Sequence, residues 1–234
     1  MTRSQKTLLA SAVIAAIAVV CWSEMVSAHG VSRRDAAFVA GVTGPAVAAF
    51  GYLGAKHMVT GYDHVLFLVG VIFFLHRLRD VLLYVSLFTI GHSITLLGGV
   101  LGDVRANAYL IDAVIGLSVV YKGFENVGGF QTVFGIRPDA RVAVLVFGLV
   151  HGFGLATRLQ ELALPSPGLI ANLLSFNVGV ELGQGIALTG VLIGLAYWRA
   201  HAGFARHAFA ANTLLMAGGF VLMGFQLAGY VVNR

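Results

Sequence analysis

The chain has 234 residues, of which 58% are hydrophobic and 11% charged, and its mean hydropathy is +0.88. A soluble domain of this size does not need so much apolar surface, so the composition predicts an all-α, polytopic membrane helix bundle. The net charge of +5 and pI near 9.7 do not point to nucleic acid. The basic residues stand singly or in pairs between apolar runs, as loop residues that orient a chain in a bilayer do. The only cysteine, Cys21, excludes a disulfide framework and a thiolate metal site.

Residues 1–28 read as a signal peptide. Arg3 and Lys6 form a basic end, Leu8 to Cys21 an uncharged core, and Val26-Ser27-Ala28 a small-residue cleavage site. An uncleaved anchor is the alternative, and in either case the N-terminus is expected outside the cytoplasm. Residues 29–56 form a Gly/Ala-rich lead-in that Gly44-Pro45 interrupts, as an interfacial or re-entrant segment would be. Residues 57–234 then hold about six apolar runs, at 61–76, 81–101, 108–128, 141–158, 168–198 and 208–232. On that topology the inner loops hold Arg77/Arg79, Arg137/Arg141 and Arg199/Arg206, and the outer loops single residues, Arg105 and Arg158. Arg33, Arg34 and Lys56 in the lead-in argue for the opposite orientation.

Chemistry first enters at His57-Met58-Val59-Thr60-Gly61-Tyr62-Asp63-His64. Thr60 and Asp63 have capping-box spacing, which predicts a helix starting near Gly61 with His57 on the incoming chain. In one continuous helix His57 and His64 would lie roughly 10 Å apart, too far to share an ion. A break at Thr60-Gly61 lets two imidazoles and a carboxylate converge, a ligand set suited to Ni²⁺, Zn²⁺ or Co²⁺. The alternative is that Asp63 only caps the helix and the histidines sit at the lipid headgroups. This group is expected near the outer surface.

Further polar residues fall inside apolar runs, where a charge costs about 2.5–3.5 kcal/mol on insertion scales. They are His92, flanked by Ser93 and Thr95, His151 in His151-Gly152-Phe153-Gly154, and Asn177, Glu181 and Gln184 on one helix face. Each histidine alone reads as a hydrogen-bonded core residue. Together, His92, His151 and Glu181 from separate helices offset their desolvation best if a cation joins them. Asp112 and Glu125 mark the two ends of the third run. Lys122 reads as a structural ion pair with Glu125 or Asn126, and Glu125 reads equally as an inner exit for a cation. Phe88 to Leu96 weakly echoes Phe147 to Leu155. No phosphate-binding loop is present, which argues against ATP-driven pumping by this chain.

Five motifs in order resemble the HupE/UreJ family of hydrogenase/urease accessory membrane proteins. They are His57-x5-Asp63-His64, Phe88-Thr89-x-x-His92-Ser93, Tyr121-x3-Glu125-Asn126, Phe147-Gly148-Leu149-Val150-His151-Gly152 and Phe176-Asn177-x-Gly179-Val180-Glu181-Leu182-Gly183-Gln184. The similarity runs from about Phe50 to Trp198. It implies a permease supplying Ni²⁺ for metalloenzyme maturation, with His57, Asp63 and His64 as the metal entry site. One motif departs from the family pattern: His151-Gly152-Phe153-Gly154 holds a single histidine and no adjacent acid, a role Glu181 is expected to fill from another helix.

The expectation is therefore an inner-membrane divalent metal permease that is not an enzyme. His57, Asp63 and His64 capture the ion, His92, His151 and Glu181 relay it, and Asp112, Glu125, Asn177 and Gln184 are secondary candidates on the path. Its partners are the metal ion, the bilayer, and a further copy of the chain or a maturation protein. The rivals are an intramembrane Zn²⁺ enzyme and a non-transporting assembly partner.

Overall fold

The computed structural model describes residues 39, 41–160 and 167–233. The expected signal peptide, its cleavage site and the arginines of the lead-in lie outside them. Eight helices follow in order: α1 (Val47–Thr60), α2 (Tyr62–Ile72), α3 (Leu78–Leu101), α4 (Ala108–Asn126), α5 (Gly129–Phe134), α6 (Ala140–Gln160), α7 (Leu169–Arg199) and α8 (Phe204–Val232). Among them α3, α6, α7 and α8 are long and apolar enough to cross a membrane. A helix lies at each of the six expected places, but α2 is only 11 residues long and α4 carries Asp112, Lys122 and Glu125.

Local chemistry sets the helix ends. Ala46 is the N-cap of α1, directly after Gly44-Pro45, and Asn172 of α7 fixes that start: its Oδ1 accepts from the Ala46 N–H at 2.7 Å and its Nδ2 donates to the Gly44 carbonyl at 3.1 Å. Asn107 caps α4 by accepting from the Leu110 N–H at 3.2 Å. The expected break at Gly61 is present, but the capping box is not. Thr60 Oγ1 donates instead to the Lys56 carbonyl at 2.8 Å, and Asp63 Oδ1 accepts from the His64 N–H at 2.9 Å. His57 lies within α1 rather than on an incoming loop, so a boundary between residues 56 and 57 falls inside a helix. Gly61 suits the junction because a Cβ there would stand 2.8 Å from the His57 carbonyl and 3.2 Å from His64 Nδ1.

Three helix pairs make the bundle, each closed by small residues. Water does not drive helices together in lipid, so backbone-close packing takes over that role. Parallel helices α3 and α6 meet where a Cβ on Gly148 would strike the Phe88 carbonyl and one on Gly152 the His92 carbonyl. The Phe88 and Phe147 echo is thus carried by two helices that face each other. Helices α1 and α7, also parallel, touch at Gly51–Gly179 and Ala55–Gly183. Antiparallel α4 and α8 close at Gly116–Gly219 and at Gly123 against the Asn212 carbonyl.

End to end, α1 and α2 form one rod alongside α7, broken only at Gly61. Ser175 Oγ donates to the Val47 carbonyl at the start of the rod. At its far end the Arg199 guanidinium donates to the Ile72, Phe73 and Leu75 carbonyls at 2.6, 2.6 and 2.8 Å. Ile72 and Phe73 close α2 and Leu75 follows in the turn beyond it, so the guanidinium satisfies carbonyls at the helix end, where a cation also suits the negative end of the dipole. Arg199→Leu is expected to destabilise the protein by about 2–3 kcal/mol, the scale of hydrogen bonds to a charged group. The check is a lowered thermal midpoint in detergent, with Arg199→Lys partly restoring it.

Candidate metal centre

The break at Gly61 turns two histidines toward the same place. His57 sits in the last turn of α1, His64 in the first turn of α2, and their ring centroids are 5.1 Å apart. From the paired helices α3 and α6, His92 and His151 approach the same ring. Their centroids lie 5.8 and 4.7 Å from that of His64. Three imidazoles, each from a different helix, therefore gather around His64, which is only 3% exposed. The glycine contacts of α6 make this possible, since Gly148 and Gly152 flank His151 and bring its helix against the backbone of α3. Thr95 Oγ1 of α3, hydrogen-bonded to the Leu149 carbonyl at 2.6 Å, holds the same register.

Two contacts bear on the ring tautomers. Asp63 Oδ1 lies 2.9 Å from His64 Nδ1, so the ring donates its Nδ1–H to the carboxylate and Nε2 is left as a bare acceptor. Ser118 Oγ donates its single proton to the Ile115 carbonyl at 2.6 Å. Its contact with His151 Nε2 at 3.0 Å is one in which the ring donates when that proton stays directed at the carbonyl, and His151 Nδ1 has no hydrogen-bond partner in either tautomer. The His64 assignment follows from the hydrogen-bond network.

The result is a group of buried ring nitrogens without partners: His57 Nε2, His64 Nε2, both nitrogens of His92, and His151 Nδ1. Buried polar atoms are nearly always satisfied, so this many orphans in one place point to a ligand. Phe67, Phe88 and Phe176 wall the group and exclude competing protein donors. The rings meet edge to face, at 77°, 70° and 84°. Among the described residues no three His, Cys, Asp or Glu side chains already stand as a metal-holding set. The nitrogens are gathered without forming a ligand set as they stand.

The other expected site residues lie elsewhere. Glu181 does not join the imidazoles: its side chain is exposed on the outer side of α7, while Gln184 on the same helix is buried. Asp112 is paired with Arg158 at 2.7 Å and Glu125 with Lys122 at 2.8 Å. Asn177 exchanges hydrogen bonds with Ser93, and Gln184 Oε1 accepts from Thr89 at 3.2 Å. The acid of the centre is Asp63, with its side chain 29% exposed. His57, Asp63 and His64 were expected near the outer surface; they form one group with His92 and His151 inside the bundle. Ser118 escaped the sequence reading, where its one signal is a lone hydroxyl within the apolar run Ile115–Val120.

The fold and centre define a helical membrane protein with a histidine group buried within its bundle. The chain belongs to the HupE/UreJ protein family, whose model matches residues 33–234. Searches of curated proteins and of solved structures found no match.

Proposed function

We propose that the protein is a divalent metal permease of the inner membrane, carrying Ni²⁺ as its cargo for metalloenzyme maturation. The observation that carries this reading is the set of five unpartnered ring nitrogens beside Asp63. Imidazole nitrogens with one carboxylate suit Ni²⁺, Co²⁺ and Zn²⁺, and the described residues around them offer no thiolate for a softer ion. Nitrogens gathered without a ready-made ligand set give a site that fills and empties readily, as conduction requires and a tightly held cofactor does not.

In this reading α1 and α2 together form one crossing and α4 another, which makes six with the four long apolar helices. A broken helix with its break lined by the site is how membrane proteins place ion ligands away from lipid. The end of the bundle bearing Arg77, Arg79, Arg137, Arg141 and Arg206 faces the cytoplasm, supported by the excess of basic residues in those loops. The N-terminus then lies on the periplasmic side.

The test is purified protein in liposomes, with internal dyes reporting entry of Ni²⁺, Co²⁺, Zn²⁺ and Mg²⁺. Saturable entry of Ni²⁺ and not Mg²⁺ is expected, and entry no faster than in empty liposomes overturns the reading. Because Glu181 stands apart from the centre, Glu181→Gln is expected to transport within about twofold of the unmodified protein, as substitutions outside a site commonly do. A loss of Ni²⁺ entry in that variant would return Glu181 to the path.

A further inference from the structure

The contact of Ser118 with His151 also locates Lys122. Four residues further along α4, Lys122 lies on the same helix face and about 6 Å along the axis, toward the α5 end. Its side chain is only 9% exposed. Gly70 of α2 makes room for it: a Cβ there would stand 2.9 Å from Lys122 Cγ and 3.0 Å from Leu215 Cδ2. The ammonium group reaches Glu125 Oε2 at 2.8 Å. Glu125 in turn lines an open cavity of about 480 Å³, together with Gln131, Thr132 and Arg137. Asn126, bonded to the Gly70 carbonyl and to Asn212 Oδ1, both at 2.8 Å, holds α4 to α2 and α8 at this level. The order along α4 is therefore the imidazole group, a buried ammonium, a carboxylate and an open vestibule.

The pair is part-buried, with side chains 9% and 20% exposed, and for a pair largely withdrawn from water desolvation cancels much of the attraction, so an apolar pair of similar size often does as well. The position of this one gives it a use. An ion leaving the imidazoles toward the vestibule meets a fixed positive charge, and that charge is itself bound to the first carboxylate beyond it. Lysine is a compact ammonium on a flexible four-carbon stem, so it can release Glu125 and withdraw without unfolding anything.

We propose that Lys122 is a tethered counter-cation. It occupies Glu125 while no ion is passing and yields the carboxylate to a cation of higher charge, so that divalent ions cross and monovalent ions do not. This rests on the permease reading and adds to it the residue that sets valence selectivity. No bond is made or broken; one cation replaces another on Glu125.

The experiment compares unmodified protein, Lys122→Met, Lys122→Arg and Glu125→Gln in liposomes. Two signals are read: Ni²⁺ entry by an internal dye, and K⁺ leak by decay of a potassium diffusion potential. Lys122→Met is expected to raise K⁺ leak roughly tenfold over the unmodified protein while Ni²⁺ entry persists, a scale set by local charge in focusing ions. Lys122→Arg is expected to keep K⁺ out, and Glu125→Gln to slow Ni²⁺ entry with K⁺ exclusion intact. K⁺ leak in Lys122→Met equal to the unmodified protein overturns the proposal even where Ni²⁺ entry is normal, whereas absence of Ni²⁺ entry in the unmodified protein overturns the permease reading itself. Where Lys122→Met does not give a monodisperse protein, Glu125→Gln decides: unchanged Ni²⁺ entry in that variant overturns the proposal.

Discussion

His64→Ala is expected to reduce Ni²⁺ entry by at least about 10–100-fold, since even the outer-shell partners of metal ligands command that much. His64 is the ring that the others share: His57, His92 and His151 all have centroids within 5.8 Å of it. Its Nε2 is among the unpartnered atoms, and its Nδ1 is the one atom of the group held by a carboxylate. Removing it leaves the three remaining imidazoles without their common neighbour and Asp63 without a ring to orient. Asp63→Asn is a milder form of the same loss. The amide keeps the shape of the side chain but can present a donor to Nδ1, which drives the proton to Nε2, the atom a cation would take on the proposed function. Entry rates are compared at matched amounts of monodisperse protein, and transport by His64→Ala at the unmodified rate would remove the centre from the path.

Gly152→Leu is expected to have the largest effect on the fold. A Cβ at residue 152 would collide with the His92 carbonyl and stand 2.5 Å from Thr95 Oγ1, so the obstacle includes main chain as well as side chain. Helix α6 must then move away from α3. That movement breaks the Thr95 to Leu149 hydrogen bond and separates His151 from the ring it faces. Overpacking a close contact costs about 1–3 kcal/mol and occasionally more, and a backbone obstacle belongs at the upper end. The expected result is a thermal midpoint many degrees lower in detergent, together with loss of Ni²⁺ entry. Gly194→Ala is the control, because nothing lies within 4 Å of a Cβ there. It should leave both properties unchanged, and equal effects of the two substitutions would show that close approach at Gly152 does not matter.

Much of the centre could be read before any geometry. His92 and His151 stand out as imidazoles inside apolar runs, His57, Asp63 and His64 by their spacing where a polar segment meets the first run, and the break at Gly61 follows from that same spacing. The Lys122 to Glu125 pair was legible for a related reason, since residues three apart on a helix are neighbours whatever surrounds them. The reading failed where it assumed a direction. Asn177, Glu181 and Gln184 share a helix face by spacing, yet Glu181 falls on the exposed side of α7 and Gln184 on the buried side. Spacing fixes angles within one helix, and the 60° between those two residues is enough to divide them once α1 packs against α7. The capping box failed similarly, because Asp63 had a better partner in the ring of His64.

The sequence by itself determined that this is a bundle of apolar helices, which residue types interrupt them, and where one helix breaks. Those features depend on composition and on neighbours along the chain. Only the tertiary structure decided that two expected stations are one group, that Asp63 holds His64 while Ser118 touches His151, and that Glu181 stands outside. These outcomes depend on how far each helix is rotated and slid against its partner. That is set by contacts such as Gly152 on His92 and Gly179 on Gly51, between residues far apart in sequence.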